Sequence, residues 1–353
     1  MSDSLARSSA AQLQDQGDAR RESDASTGID ALSDVLRSVR LTGSLLFLVD
    51  ATSPWVTEAP PGSSFASVLL PEVQHVVSYH IIVDGRCWGG LVGEPSTCFE
   101  AGDILVVPHG DAYGLSSAPG MRASWSTDEA VAFFREMSRG RLPAIVNQRG
   151  GESEHTRFIR GFLGCDLRPF NPVLTALPRM IHLKRSTQHE SRLDYLIEFT
   201  RGELQEAASG MQCVLLRLSE LLFVEVIRRY LQSLPAGEQG WVSALRDPVV
   251  GHALTLIHNQ VAYPWTADKL TAQVGLSRSA FSERFRYLVG QPPMQYVTRW
   301  RMQLAGHLLR ESAAKVSAIG LEVGYDSEAA FSRAFKKTTG TSPSLWRQHT
   351  SSL

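Results

Sequence analysis

Two short stretches near the C-terminal end carry polar and charged side chains at the spacing of one helix face. The outward residues of the first stretch are Arg278, Ser279, Ser282, Glu283 and Arg286. Those of the second stretch are Glu328, Ala329, Ser332, Arg333 and Lys336. Arginine can bond guanine through two hydrogen bonds, glutamate can accept one from cytosine, and basic residues also bind phosphate. These side chains predict contacts with the major groove of double-stranded DNA, with Arg333 at a base edge.

The second stretch belongs to a helix, a glycine turn and a further helix within residues 316–347. Gly324 suits the left-handed conformation of such a turn, and Ser327 is a good N-cap for the helix that follows. Phe331 and Phe335 fall on the face opposite to the polar residues, which predicts that they lie in the core and do not intercalate into DNA. Two helices joined in this way form a helix–turn–helix unit, whose second helix enters the major groove.

The same pattern occurs once before in the chain. Residues 265–277 open like the second unit, and the next helix has an inward face formed by Ala280, Phe281, Phe285 and Leu288. The helix between the two units has apolar residues at helical spacing, namely Tyr296, Val297, Trp300, Leu304, Ala305 and Leu308. Trp300 and Trp346 are also expected in the core. Two units held at a fixed separation can read consecutive segments of the major groove.

The second unit also resembles a known family. It contains every element of the signature of the AraC/XylS-type DNA-binding domain, in the order Ile319, Gly324-Tyr325-Asp326-Ser327, Phe331, Phe335-Lys336, Gly340, Ser342-Pro343 and Trp346-Arg347. The resemblance runs from near residue 250 to the end of the chain. It implies a DNA reader that binds promoters, usually activates transcription with RNA polymerase, and is often controlled by a ligand-sensing N-terminal domain.

The charge distribution agrees with this interpretation. The whole chain has 35 Lys and Arg against 36 Asp and Glu, a net charge of −1. Residues 260–353 hold 12 of the basic and 6 of the acidic residues, so this end carries +6 and the rest of the chain carries −7. A basic end on an otherwise acidic chain predicts a nucleic-acid-binding module joined to a module with another task.

Composition bounds the remaining choices. Hydrophobic residues make up 43% and charged residues 20% of the chain, which is typical of a soluble globular protein. No apolar run is long enough for a membrane span, and four cysteines at irregular spacing form neither a zinc motif nor a disulfide framework. We therefore expect a cytoplasmic protein without membrane contact. Its predicted parts are a disordered tail (1–29), a sensor and dimerisation domain with linker helices (30–235) and a DNA-binding domain (246–350).

The sensor part is predicted to be β-rich. From residue 30 to about residue 125, short apolar runs are separated by Gly and Pro, which favours an antiparallel barrel or sandwich. The segment from Gly102 to Tyr113 resembles the second motif of the cupins, and His80 lies where the first cupin motif has a histidine. The resemblance to a cupin-type sensor covers residues 30 to about 235. The predicted fold class is α+β: a cupin-like barrel with following helices, then an all-α domain with two helix–turn–helix units.

The cupin resemblance bears on metal binding. Metal-binding cupins have a His-x-His pair in the first motif and a final histidine in the second, where this chain has Ser78 and Tyr113. The family's three-His, one-Glu site is therefore incomplete, although His75, His80 and His109 leave an improvised metal site open. We expect no metal or other cofactor, and a small-molecule effector bound by His80, Trp88, Pro108, His109 and Tyr113. The alternative is a metal-dependent cupin enzyme that carries a DNA-binding domain.

Two further features leave alternatives open. Helices are predicted over 193–208 and 211–232, and the second has an apolar stripe formed by Met211, Val214, Leu215, Leu218, Leu222 and Val226. That stripe either packs on the barrel of its own chain or forms a homodimer interface or relay. Separately, Arg86 next to Cys87 could lower the pKa of the thiol, which would make Cys87 and Cys98 candidates for sensing oxidation. The alternative is that Cys87 is a small buried apolar residue.

Overall fold

A computed structural model describes residues 31–38, 41–70, 73, 75–139, 143–151, 154–165, 169–185, 191–206, 208–235 and 240–351. The tail predicted for residues 1–29 lies outside this range, as do residues 236–239.

The N-terminal part combines strands with short helices. Its strands are β1 (Leu41–Thr52), β2 (Val56–Ala59), β3 (His75–Asp84), β4 (Arg86–Leu91), β5 (Thr97–Glu100), β6 (Ile104–Val107), β7 (Tyr113–Ser116), β8 (Ile145–Arg149), β9 (His155–Cys165) and β10 (Ile181–Leu183). Its helices are α1 (Ala31–Ser38), α2 (Ala66–Leu69), α3 (Thr127–Ser138), α4 (Pro172–Ala176), α5 (Arg192–Glu206) and α6 (Met211–Ser233).

The strands form two sheets. The larger has the order β10-β6-β3-β9-β1-β8 and the smaller has the order β2-β7-β4-β5. Neighbouring strands are antiparallel except for β1 and β8, which run parallel. The predicted antiparallel architecture is confirmed, and the parallel pair is an addition that the sequence pattern did not reveal.

Both faces of the larger sheet are buried, and β3 shows why. Its residues from His75 to Ile82 are all buried, so alternate side chains enter two different cores. Val76 and Ile82 face the smaller sheet, whereas Tyr79 and Ile81 face the helices. A strand covered on both sides has a nearly continuous apolar sequence, which matches residues 76–82, where only Ser78 and His80 are polar.

The helices α5 and α6 cover the outer face of the larger sheet. Of the predicted stripe on α6, Leu215, Leu218, Leu222 and Val226 are buried in the core that also contains the sheet, and the first two stripe residues are partly buried against it. The Tyr79 hydroxyl donates a hydrogen bond of 3.2 Å to the Ser219 hydroxyl of α6. The stripe therefore packs on the sheet of its own chain, as one of the two alternatives predicted.

The C-terminal part is all helical. It consists of α7 (Trp241–Ala244), α8 (Val250–Asn259), α9 (Ala267–Val274), α10 (Arg278–Val289), α11 (Pro293–Glu311), α12 (Val316–Glu322), α13 (Glu328–Thr339) and α14 (Pro343–Ser351). Of the helices that the structure describes, none is both long and apolar enough to cross a bilayer. A buried cluster that includes sheet residues and residues of α8, α10 and α11 connects this part to the sensor.

Candidate DNA-binding surface and sensor site

Both helix–turn–helix units contain a left-handed glycine in the turn and a serine that caps the second helix. In the first, α9 ends at Gly275, whose φ of +70° is left-handed, and the Ser277 hydroxyl caps α10 by accepting the Ala280 N–H at 3.3 Å. In the second, Gly324 has a φ of +83°, and the Ser327 hydroxyl caps α13 through the Ala330 N–H at 3.2 Å. The glycine turn and the serine N-cap thus set the start of each recognition helix.

The residues predicted for DNA contact lie on the outside of α10 and α13. All are exposed except Ser282 and Ser332, which are half-buried. Ala280 was predicted to point inward and is exposed instead. Consecutive helix residues are rotated by about 100°, so the residue before Phe281 turns away from the narrow inward face. An exposed aromatic residue next to Arg286, Tyr287, was missed, although its position beside the polar face is readable from the sequence.

The inward face of each unit is aromatic, as predicted. Phe281, Phe285, Phe331 and Phe335 are fully buried, and Trp300 is buried as well. Trp346 is half-buried, packs edge-on against Phe335 and donates its indole N–H to the Gly306 carbonyl at 3.2 Å. These side chains hold the helices together. Because these side chains are buried, we still predict that they do not contact DNA.

Arg301 fixes the two units relative to each other. From the connecting helix α11, its guanidinium donates to the carbonyls of Val261 (3.0 Å) and Tyr263 (2.7 Å), just before the first unit. The same group donates to the carbonyl of Gly324 at 3.1 Å, in the turn of the second unit. One side chain therefore ties the entry of the first unit to the turn of the second.

The residues predicted for effector binding do not all come together. His109 is exposed and pairs through Nε2 with the Leu177 carbonyl (2.8 Å), and Pro108 is buried with its carbonyl bonded to His75 Nε2 (2.6 Å). Trp88 lines a groove of about 450 Å³ on the outer face of the smaller sheet, away from the core between the sheets. The structure brings only two of the five together: His80 and Tyr113 are buried, with ring centroids 5.0 Å apart.

A fully buried arginine beside this pair was missed. Arg160 lies opposite His80 on β9, with its Nη1 bonded to the Thr57 hydroxyl (3.1 Å) and its Nη2 to the Tyr113 hydroxyl (3.4 Å). Burial, together with the charge of Arg160, holds the pKa of His80 well below its ordinary value, so this imidazole is neutral. The signal was present in the sequence as one arginine within the apolar run from Phe158 to Leu163.

The residues of the core do not fit a divalent metal. Among the described residues, neither nitrogen of His80 has a hydrogen-bond partner, and the residue directly across from it is Arg160, whose guanidinium repels a cation. His75 and His109 are each held by a backbone carbonyl. Within the described ranges, no three His, Cys, Asp or Glu side chains gather as metal ligands. No chemical step through a metal can be derived from this arrangement.

Of the two alternatives for Cys87, the structure agrees with the small buried side chain and contradicts activation by Arg86. Arg86 is exposed and pairs with Glu154 at 3.0 Å. Burial raises the pKa of the Cys87 thiol to about 12, so the thiol stays protonated at neutral pH. In the register of β4 and β5, Cys87 faces Phe99 and Cys98 faces Trp88, which places the two cysteines on opposite faces of the smaller sheet.

Comparison with known proteins agrees with the two halves of the molecule. Residues 30–232 match the cupin family and residues 270–349 match the helix–turn–helix domain family. A putative AraC-like transcription regulator of Streptomyces lividans is 29% identical over 91% of this chain and 99% of its own length. The transcriptional regulator AlkR of Acinetobacter baylyi is 28% identical over the same shares of the two chains. The crystal structure of the DNA-binding domain of AdpA with a target DNA covers 29% of this chain and 92% of its own, with 27% identity and a TM-score of 0.28.

A cupin domain followed by an AraC-type pair of helix–turn–helix units defines a class of DNA-binding transcription regulators. The cupin match covers more than half of the chain, and relatives of full length are regulators of this class. The chain therefore belongs to the cupin family and is an AraC-type transcription regulator.

Proposed function

We propose that this regulator activates transcription from a specific promoter and that a small molecule bound by its cupin domain controls this activity. The observation that carries the proposal is the pairing of two recognition helices, exposed and polar on one face, with a second domain that has its own buried polar site. A regulator without an input would have no task for such a site. The metal-dependent enzyme has no support in these buried residues, because His80 lies opposite Arg160, whose guanidinium would repel a metal cation.

Promoter reading is assigned to the outer faces of α10 and α13. Arg333 is exposed, and its face lies opposite to Phe331 and Phe335, so its guanidinium can reach a guanine edge. On α10 the small Ser279 and acidic Glu283 favour shape and backbone contacts, with Glu283 able to accept from a cytosine amino group. Basic residues near both helices add the salt-dependent binding to phosphates.

Communication between the domains is assigned to a buried contact. The segment that follows β9 inserts Phe170 against α11, the helix that connects the two DNA-reading units. The ring of Phe170 packs under the Arg299 guanidinium at 3.9 Å, and its backbone N–H bonds to Gln303. An effector can shift this arrangement only if it binds the two states of the contact with different affinities.

The remaining partners follow from the class of protein. An activator acts on RNA polymerase in the cytoplasm. A homodimer would place four recognition helices on one promoter, and the exposed Tyr195, Phe199 and Leu221 of α5 and α6 supply an apolar surface for it.

The test is a footprint of the purified full chain on DNA selected from random sequence, followed by transcription with RNA polymerase from the selected site. We expect protection of two adjacent major-groove segments and increased transcription. Protection without any change in transcription would contradict activation. Stoichiometric iron, zinc or manganese in the protein, with DNA binding lost on chelation, would favour the metal-dependent alternative.

A further inference from the structure

The core between the two sheets contains a cation with no counter-ion among the residues that the structure describes. Arg160 is 2% exposed and lies in the middle of β9, a central strand of the larger sheet. Its guanidinium bonds to two neutral hydroxyls, those of Thr57 and Tyr113, and its Nε has no hydrogen-bond partner in the described part of the chain. No carboxylate within the described ranges lies at ion-pairing distance from it.

An isolated charge in an apolar core is costly. Buried charges in proteins are normally paired, because the interior solvates them far less well than water does. The rings of Phe162, Phe134, Tyr113 and Phe47 surround the guanidinium, with centroids 5.2 to 6.0 Å from Cζ. Cation–π contacts of this kind offset only part of the loss of hydration. The site is therefore short of one anion.

His80 completes the set of groups that such an anion would meet. It lies directly across from Arg160 on the neighbouring strand, and its two ring nitrogens are buried, with no hydrogen-bond partner from any described residue. Because the ring is neutral, one nitrogen carries a proton that it can donate. A guanidinium fork, an imidazole N–H and a phenol hydroxyl on one face together match the two oxygens of a carboxylate.

We propose that Arg160, His80 and Tyr113 bind the carboxylate of a small organic monoanion with an apolar body, and that this molecule is the effector. The inference rests on the proposed function as a ligand-controlled regulator. The aromatic rings around Arg160 would contact the apolar body. Phe134 of α3 stacks on Phe65 at 4.4 Å and also contacts Phe162, so these rings pack on one another and would have to separate to admit the ligand.

The test measures the thermal unfolding midpoint of the full chain with a series of monocarboxylates, from acetate to octanoate plus benzoate and phenylacetate. Each acid is compared with its primary amide, which has the same shape without the charge. A ligand that binds the folded state raises the midpoint with concentration. We expect at least one acid to do so and its amide not to. If no acid raises the midpoint more than its amide does, the proposal is overturned.

Variants separate a ligand-binding arginine from a structural one. Arg160→Met should weaken the binding of the active acid by about 10- to 100-fold without lowering the midpoint of the ligand-free protein, since an unpaired buried charge is removed. Arg157→Met is the matched control on the same strand, because Arg157 pairs with Asp84 instead of facing the core. An unchanged response in Arg160→Met, or a ligand-free midpoint well below that of wild type, would overturn the site.

Tyr113→Phe keeps the packing and removes one hydroxyl, so we expect the active acid to bind several-fold more weakly. This variant tests the site independently if Arg160→Met does not fold. An unchanged response in Tyr113→Phe would remove Tyr113 from the site. Specific DNA binding is measured on the same samples. If the wild-type protein binds DNA specifically but no carboxylate, only the proposed carboxylate site is overturned. If the wild-type protein does not bind DNA specifically, the proposed function itself is overturned.

Discussion

The backbone N–H of Phe170 donates a buried hydrogen bond of 2.7 Å to the side-chain oxygen of Gln303. The first residue belongs to the sensor and the second to α11, between the two DNA-reading units. Pro169 lies so close to Gly306 that a Cβ added at this glycine would approach the proline ring to 2.8 Å. The segment after β9 is therefore fitted to one face of α11, and the sensor and the DNA reader share a core there.

We predict that Phe170→Ala uncouples the two domains. Truncating a buried phenylalanine typically costs about 3–5 kcal/mol of stability, and here the loss falls on the contact between domains. In wild type the shared core should unfold in one transition. In the variant, calorimetry should show two transitions, one for the sensor and one for the DNA-binding helices.

Val92→Ala is the control, since it truncates an apolar side chain that is 39% exposed just after β4 and lies outside the contact between the domains. It should change stability by no more than about 0.5 kcal/mol and leave one transition. A single transition in Phe170→Ala with the wild-type midpoint would show that the contact does not couple the domains.

Arg333→Ala should lose sequence discrimination more than affinity. If its guanidinium bonds a guanine edge, the substitution should cost about 1–3 kcal/mol of specific binding and leave binding to random DNA nearly unchanged. Titrations of selected and random duplexes at several salt concentrations measure both quantities. Equal losses on the two duplexes would instead make Arg333 a phosphate contact.

The control for this experiment is Arg217→Ala, which also removes an exposed positive charge, here from α6, where the arginine pairs with Glu220. It should change neither specific nor non-specific binding. A comparable loss in this variant would show that Arg333 acts only through the net charge of the protein.

The two turn glycines should respond differently to alanine. Gly275 and Gly324 have similar left-handed φ values, which cost a residue with a Cβ about 1–2 kcal/mol. A Cβ at Gly275 would meet no atom within 4 Å, whereas one at Gly324 would come within 2.8 Å of the Ala262 carbonyl oxygen and of Arg301 Nη2.

Gly324→Ala should therefore destabilise the protein by at least about 1 kcal/mol more than Gly275→Ala. It should also weaken specific DNA binding, because Arg301 fixes the spacing of the two units. Urea denaturation and duplex titration of both variants give the comparison. Equal losses of stability would mean that the close approach at Gly324 relaxes at no cost.

The DNA-binding half could be predicted closely from the sequence because its determinants are local. Ser277 and Ser327 cap the helices that begin one residue later, and the phenylalanines follow at helical spacing. Each of these rules operates within one or two helical turns. Ala280 is the one residue of this half that was placed on the wrong face of its helix. How many residues of α10 face inward depends on how α9 packs against α10, which is not a local property.

The sensor half was predictable in architecture but not in its site. The pairing of Arg160 with Thr57 joins residues 103 positions apart, and that of Phe170 with Gln303 joins residues 133 positions apart. Such contacts depend on strand order and domain docking, which no local pattern encodes. A motif comparison therefore selected Trp88 and His109, which lie outside the core, and missed the arginine inside it.

Acid should destabilise the shared core through His258. This imidazole is buried against the Trp300 ring at 4.0 Å, its Nε2 pairs with the Tyr296 hydroxyl at 2.8 Å, and Asp34 of α1 lies 3.7 Å from Nδ1. Burial lowers the pKa of His258 to about 3, from 6.5 for an ordinary histidine. The unfolded chain therefore binds a proton that the folded chain does not.

His258 thus favours folding above pH 6.5, and this contribution is lost as the pH falls toward 3, by about 1.4 kcal/mol per pH unit. His258→Gln has no titrating ring and should show a shallower dependence of unfolding free energy on pH in this range, by close to one proton. Urea denaturation at a series of pH values measures both slopes. The pKa values of His80 and His75 are also lowered. These two residues contribute equally to the pH dependence of wild type and of His258→Gln, so their contributions cancel when the two slopes are subtracted. Identical slopes would mean that His258 takes up its proton in the folded state, with Asp34 as its counter-ion.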